Sequence, residues 1–331
     1  MKSKLHLSAI LLVGTLFVGI NSLKSQTVNY KIYENDPDKR NLFIHLNPFN
    51  TQAYLSDITI GYNIQATWMA TKLFQVQVDY RKAYLDGNAT GIFSPKGLNK
   101  SSQLELGGLF NFRNKLKNAA HKVVLHSSSG GGYTYTKYIM VMGECRKISG
   151  LRGGFLSFLS NHKVDNDITK AFTEYDLKGK ASDGQIRFLR DSINYETINY
   201  IARSTGIYAG IDFKSLKFLV INADGYGKRS CRIVNNFYAD VLFTPLVKYD
   251  LKPNAGQKIF DDVDVNISEN KRRMIGWRAG WHWIFNSAVG FNAKMEVGQQ
   301  PGVPKQSFFM TVGFGMSIGL KTKNLGGKDA K

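Results

Sequence analysis

From Phe308 to Leu320 every even position is apolar: Phe308, Met310, Val312, Phe314, Met316, Ile318 and Leu320. The positions between them are Thr311, Gly313, Gly315, Ser317 and Gly319, small or polar, with Phe309 the exception. Successive side chains of a strand point to opposite faces, so this spacing predicts a strand with one greasy and one wettable face. At roughly 3.3 Å per residue it runs about 40 Å. Tilted by about 40–45°, it covers a height near the 25–30 Å apolar band of a transmembrane barrel. Strands of globular proteins stop after about 5–6 residues.

The same alternation recurs upstream. Ile58, Ile60, Tyr62 and Ile64 form one face of a strand, and so do Phe74, Val76, Val78 and Tyr80. Leu104, Leu106, Phe110 and Phe112 repeat it, as do Ile207, Ala209, Ile211 and Phe213. Near the C-terminus Ile275, Trp277, Ala279, Trp281, Trp283 and Phe285 share one face. A turn at Asn286-Ser287 leads into Val289, Phe291, Ala293, Met295 and Val297. Helical spacing fits none of these segments. His121–Ser127, Tyr133–Arg146, Leu151–Ser160, Leu216–Tyr226 and Arg232–Thr244 are β-like but mixed in face, punctuated by Gly130-Gly131-Gly132 and Gly153-Gly154. The total is about twelve strands. Adding Leu42–Leu46 and Ile259–Ile267 gives fourteen, the alternative in which both termini lie at one end.

Consecutive alternating segments with short connections build an up-and-down barrel. The fold class expected is therefore all-β: an antiparallel up-and-down transmembrane β-barrel. The long connections fall near 86–102, 161–198 and 246–270. Within the second, Ile168, Ala171, Phe172 and Tyr175 have the spacing of a short helix, either in an outer loop or in a plug.

Residues 1–25 read as a signal peptide, with Lys2 and Lys4 before the apolar run Leu7–Ile20 and Ser25 before the cut. This divides the chain into 1–25, an N-terminal lead-in 26–53, a barrel 54–321 and a basic tail 322–331. The net charge of +19 is spread along the chain without a run of five basic residues, which argues against a nucleic-acid footprint. Its 32 Gly, 16 Tyr and 21 Phe suit a β protein with aromatic girdles.

The Ser25-Gln26 cut, the long aromatic-rich strands and the Gly-rich final hairpin together resemble outer-membrane β-barrel proteins of the Bacteroidota type. That resemblance implies an exported, outer-membrane, non-enzymatic barrel, either a porin-like channel or a structural and assembly component. Its partners would be outer-membrane lipid and other envelope proteins. The final strand departs from the common pattern of an aromatic residue ending the chain, because the sequence continues from Lys321 to Lys331. An accessory barrel of type IX secretion or gliding is a weaker alternative, since the chain lacks that group's N-terminal motif. A secreted soluble β-sandwich that binds a ligand or surface partner is the rival fold.

The inward positions of such a barrel hold the candidate functional residues: Gln75, Gln77, Asp79, Arg81, Glu105, Arg113, Arg278, His282, Lys294 and Glu296. Charged groups in a membrane line water or pair with one another. Two outcomes stay open: a mixed lumen that favours anions, or a bore closed by pairs such as Asp79 with Arg81 and Glu105 with Arg113. His126 beside Ser127 and His282 are the only candidates for catalysis, and strand geometry sets neither beside a nucleophile. Asp165, Asp167 and Asp176 lack the spacing of a calcium loop, and no cofactor motif is present. Cys145 and Cys231 could pair in an oxidising compartment, or be two buried small hydrophobes.

Overall fold

A computed structural model of the chain describes residues 28–54, 57–88, 93–94, 101–165, 178–180, 186–188, 197–252, 274–285, 288–302 and 308–322. The signal peptide, the turn at Asn286-Ser287, the helical spacing at 168–175, the segment Ile259–Ile267 and tail residues 323–331 lie outside them. All the regular structure is β. In chain order the strands are β1 (Tyr30–Asn35), β2 (Leu42–Tyr54), β3 (Asp57–Trp68), β4 (Phe74–Asn88), β5 (Phe93–Ser94), β6 (Ser102–Gly130) and β7 (Tyr133–Asp165). There follow β8 (Lys178–Lys180), β9 (Ile186–Phe188), β10 (Thr197–Ala223), β11 (Gly227–Lys252), β12 (Ile275–Phe285), β13 (Val289–Gln299) and β14 (Phe308–Leu320).

Ten of these close into one antiparallel barrel in the order β10, β11, β12, β13, β14, β2, β3, β4, β6 and β7, with β7 returning to β10. The last strand seals the barrel against the first, Phe309 facing Tyr54 and Leu320 facing Leu42. The barrel therefore begins at Leu42, inside the stretch expected to be a lead-in. Its strand number is ten rather than twelve or fourteen. Leu104–Phe112 and His121–Ser127 are one strand, β6; Tyr133–Arg146 and Leu151–Ser160 are β7; Ile207–Phe213 and Leu216–Tyr226 belong to β10 and its turn. Gly153-Gly154 is no turn but lies within β7, opposite Gly107-Gly108 of β6.

At one end of the barrel the connections are short. They include 69–73, the hairpin turn Gly131-Gly132, and 224–226; the chain also enters and leaves the barrel here. Gly131 and Gly132 both have positive φ, 59° and 82°, the combination a two-residue hairpin requires. At the opposite end the connections include the long segments 89–101, 166–196 and 253–274. We call these the turn end and the loop end.

Side-chain direction gives the barrel its character. Phe155, Phe291, Phe314, Val241 and Leu246 are among the many large apolar residues exposed on its outer surface, with Trp277 and Trp281. Asn, Gln, His and charged residues fill the interior. Phe309, the exception to the alternation, points inward at the loop end, tilted against Tyr54 with ring centroids 6.3 Å apart.

Past the turn end β6 and β7 continue for about fifteen residues each and β10 and β11 for about seven each. There β7 parts from β10 after the pair Cys145–Lys217, and β1 takes its place beside β10 at Leu219–Ala223. The two protruding hairpins pack face to face. Val123, Leu125, Ile139 and Val141 from one meet Leu219, Ile221, Ala223 and Cys231 from the other. This small sandwich has an ordinary apolar core. The rival fold thus exists, but only as an outgrowth of the barrel.

Candidate functional site

The bore is filled in layers. At the turn end Phe43, Ile148, Leu216, Val234 and Ile284 form an apolar stopper, with Met69 packed on it. Each comes from a different strand, so five of the ten strands place one aliphatic or aromatic group where the bore would open.

Above the stopper lies a layer of mostly uncharged polar side chains, with Lys214 among them. His45 and His282 meet edge to face with centroids 4.5 Å apart, and a ring nitrogen of His282 lies 3.2 Å from Asn292 Oδ1. Lys214 Nζ donates to Gln75 Oε1 at 2.6 Å, and Gln75 Nε2 to Asn111 Oδ1 at 3.0 Å. Asn47 donates to Asn63 Oδ1 at 2.9 Å, and Asn63 to Asp79 Oδ1 at 2.7 Å.

The next layer is an ion-pair network that crosses the barrel. Arg81 grips Glu296 with both terminal nitrogens, at 2.9 and 3.0 Å, a two-point geometry that fixes orientation as well as charge. Lys294 Nζ lies 2.5 Å from Asp79 Oδ2. Arg278 also bonds Glu105 through both terminal nitrogens, the second at 2.8 Å, and turns its Nε to Asp240 at 2.7 Å. Arg152 Nε lies 3.2 Å from Asp240, and its guanidinium stacks 4.1 Å from the Tyr238 ring. Tyr238 donates its hydroxyl proton to Glu296. Gly280 makes room for this ring: a Cβ there would overlap Tyr238. Gly107 does the same for Tyr208. Toward the loop end Leu156, Phe158, Tyr208 and Leu242 form a second apolar cluster.

Nine of the ten residues expected to face inward are buried inside the barrel: Gln75, Gln77, Asp79, Arg81, Glu105, Arg278, His282, Lys294 and Glu296. Arg113 is not. An irregularity in pairing between Asn111 and Arg113 shifts β6 by one residue, and Arg113 lies exposed at the rim. The partner of Glu105 is therefore Arg278, across the bore, and not Arg113 on its own strand. Arg152, Asp212, Lys214, Asp240 and Tyr238 complete the interior and were not singled out in the sequence. They come from strands whose burial changes face partway along. Among the described residues the buried charged groups are Arg81, Arg152, Lys214, Arg278 and Lys294 against Asp79, Glu105, Asp212, Asp240 and Glu296. The signs cancel.

Cys145 and Cys231 are buried and free. They flank β10, Cys145 beside Lys217 and Cys231 beside Leu219. With one strand between them their backbones are about 10 Å apart, beyond the reach of a disulfide. Burial pushes the Cys231 thiol up, away from the reactive thiolate. His126 is exposed near the β6–β7 hairpin tip, far from His282 in the bore. Among the described residues no group of His, Cys, Asp and Glu is arranged to hold a metal.

In the sandwich His121 is fully buried beside Val123. Its Nδ1 lies 2.8 Å from Ala119 O, so that nitrogen carries the proton, and Nε2 has no partner. Burial lowers its pKa below the usual 6.5, and the nearby Lys217 ammonium lowers it further. Comparison of the chain with protein-family models and with curated proteins yields no match.

Proposed function

We propose that the chain is a non-enzymatic outer-membrane β-barrel whose bore is shut, and that it serves as a structural or assembly component presenting the sandwich on the periplasmic side. The observation that carries this reading is the inversion of the barrel. Soluble proteins bury apolar side chains and rarely expose contiguous apolar patches beyond a few hundred Å². Here the apolar side chains encircle the outside while polar and charged ones are buried. That distribution is the one a hydrocarbon surround favours.

Dimensions agree. Strands β12 to β14 hold 11, 11 and 13 residues. At a tilt of about 40° they rise about 28–33 Å, close to the thickness of a bilayer core. Barrels of this kind put short turns in the periplasm and long loops outside. The turn end, with the sandwich and both ends of the barrel sequence, is then periplasmic.

Between the two outcomes left open by the sequence, the interior favours closure. The buried charges balance five to five, eight of them are joined in ion pairs, and an apolar stopper lies across the turn end. A conducting lumen needs a continuous water-lined path, and an ion-selective one adds rings of like charge or of carbonyls. The test has two parts. The protein should sediment with the outer membrane, resist carbonate extraction and run faster unheated than boiled on a gel. In planar bilayers it should be silent. Release into the soluble periplasmic fraction would overturn the membrane assignment, and stepwise ion-selective currents would overturn the closed bore.

A further inference from the structure

Just past the turn end the outward face of the sheet changes from apolar to basic. The register sets Leu151 opposite Phe110, then Ser149 opposite Arg113, Lys147 opposite Lys115 and Cys145 opposite Lys117. Leu151 and Phe110 are 54% and 45% exposed on the outer surface. Arg113, Lys115, Lys117 and Lys147 keep that outward direction and are exposed too. The face becomes buried beneath the β10–β11 hairpin only from Cys145 and His121 onward. On β10 the neighbouring rows hold Phe213, Ser215 and Lys217.

Two features mark this patch as a place for an anion from outside the chain. The first is an excess of one sign. Arg113 to Lys117 span about 13 Å of strand, with Lys147 beside them. Glu144, opposite Asn118, belongs to the other face. Among the described residues none of the four basic groups has an ion-pair partner. Arg146, one residue along on the opposite face, does have one in Asp38. The second feature is the pair itself. Lys115 and Lys147 stand directly opposite across two strands, where Cβ atoms are about 4.5–5.5 Å apart and like charges are destabilising. The sheet supplies no countercharge for them.

Position names the anion. In a bilayer, the Lys115–Lys147 row lies four residues past Leu151, about 13 Å along the strand and about 10 Å in height. That is the edge of the apolar belt, where lysine stems run along apolar surface and hold their ammonium groups among the headgroups.

We propose that Arg113, Lys115, Lys117 and Lys147 bind the phosphate of an anionic phospholipid in the adjoining leaflet. The guanidinium supplies two-point contact and the opposed lysines supply charge. A zwitterionic headgroup brings its own cation and leaves the excess uncompensated. The inference rests on the membrane reading and deepens it.

Full-length protein reconstituted in phosphatidylcholine bilayers provides the test. A fluorophore on Ser149→Cys, opposite Arg113, reports the lipid at the patch, and one on Phe314→Cys reports the lipid on the outer face of β14. The quencher is a trace of spin-labelled phosphatidylglycerol or of spin-labelled phosphatidylcholine. At position 149 the anionic lipid is expected to be enriched about fivefold over the neutral one. At position 314 the two should quench alike. Raising salt from about 50 to about 500 mM should remove most of the preference. Lys115→Glu sets a carboxylate opposite Lys147, a favourable pair that supplies the countercharge from within the sheet, and should abolish the preference. Lys115→Gln with Lys147→Gln should do the same, with heat-modifiable gel mobility reporting that each variant is folded. Equal quenching at 149 alongside intact quenching at 314 would overturn this proposal alone. So would a preference that survives both variants, or one that inorganic phosphate abolishes at constant ionic strength, the mark of a free-anion site. No quenching at 314 by either lipid would overturn the membrane reading and this inference with it.

Discussion

Follow β7 from Asp165 back to Tyr133 and the same strand obeys two opposite rules. Within the barrel, Gly150, Arg152, Leu156 and Phe158 are buried while Leu151 and Phe155 are exposed. Within the sandwich, Cys145, Val141 and Ile139 are buried while Met142 and Met140 are exposed. The buried parity changes near Arg146–Lys147 although the pairing with β10 runs unbroken from Asp165 to Cys145. On β10 the change falls between Phe218 and Leu219, with continuous pairing to β11. Composition changes with it: arginine and aspartate are inside the barrel, valine and isoleucine inside the sandwich. One backbone can serve both because side-chain direction alone decides which solvent each residue meets. Under the proposed membrane reading, the barrel is built for an apolar surround and the sandwich for water.

That contrast can be broken in several ways. The largest effect is expected inside the barrel. Arg278→Ala would strand Glu105 and Asp240 as buried carboxylates without their shared partner, and breaking such a pair costs about 3–5 kcal/mol. Urea unfolding followed by gel mobility should show it, with partial recovery when Glu105→Gln is added. On the outside, Phe314→Lys should cost about 2–4 kcal/mol if the residue meets the middle of a bilayer. Met140→Lys, equally a charge on an exposed strand face, should be close to neutral. Equal tolerance at the two sites would erase the distinction. In the sandwich, Ile221→Val should cost about 0.5–1.5 kcal/mol, the ordinary result for a packed water-soluble core.

The smallest effect is a pH dependence confined to the sandwich. His121 is held neutral in the fold, with its pKa below the 6.5 of the unfolded chain. Above that value neither state carries the proton and stability is flat. As pH falls through 6.5 the unfolded state takes up a proton that the folded one refuses, so the sandwich loosens progressively on the acid side. The protection factors of the sandwich portions of β6 and β7, corrected for the intrinsic exchange rate at each pH, should fall between pH 7.5 and 5.5, and His121→Gln should abolish that fall while the barrel portions stay protected.

Where one solvent governs a whole strand, the sequence is easy to read. Ile275–Phe285 is a strand with just those limits in the structure, and the alternating stretch Ser307–Lys321 exceeds its strand, Phe308–Leu320, by one residue at each end. In β6, β7 and β10 the alternation breaks in the middle. The irregularity after Asn111 and the changes of buried face near Arg146 and Phe218 look in sequence like strand ends, which divides three long strands into six. The missing first strand has a related cause. Its alternation is interrupted by an irregularity between Asn47 and Asn50, where Pro48 sits. The inward charges of β4, β12 and β13 were legible because each follows an unbroken pattern, whereas Arg152, Lys214 and Asp240 lie on strands read as mixed or not weighed for charge. Which acid meets which base was not legible at all. Glu105 finds Arg278 across the bore, 173 residues away, and no local spacing encodes that.

The central claim is that one strand passes from hydrocarbon to water, and site-directed spin labelling measures it directly. Phe155→Cys and Met140→Cys, both on β7, would carry the label in reconstituted bilayers. Collision rates with oxygen, which concentrates in lipid, and with a water-soluble nickel chelate report each site's solvent. The account predicts high oxygen and low nickel access at position 155, and the reverse at position 140. Equal and high nickel access at both would mean that the barrel does not lie in a membrane.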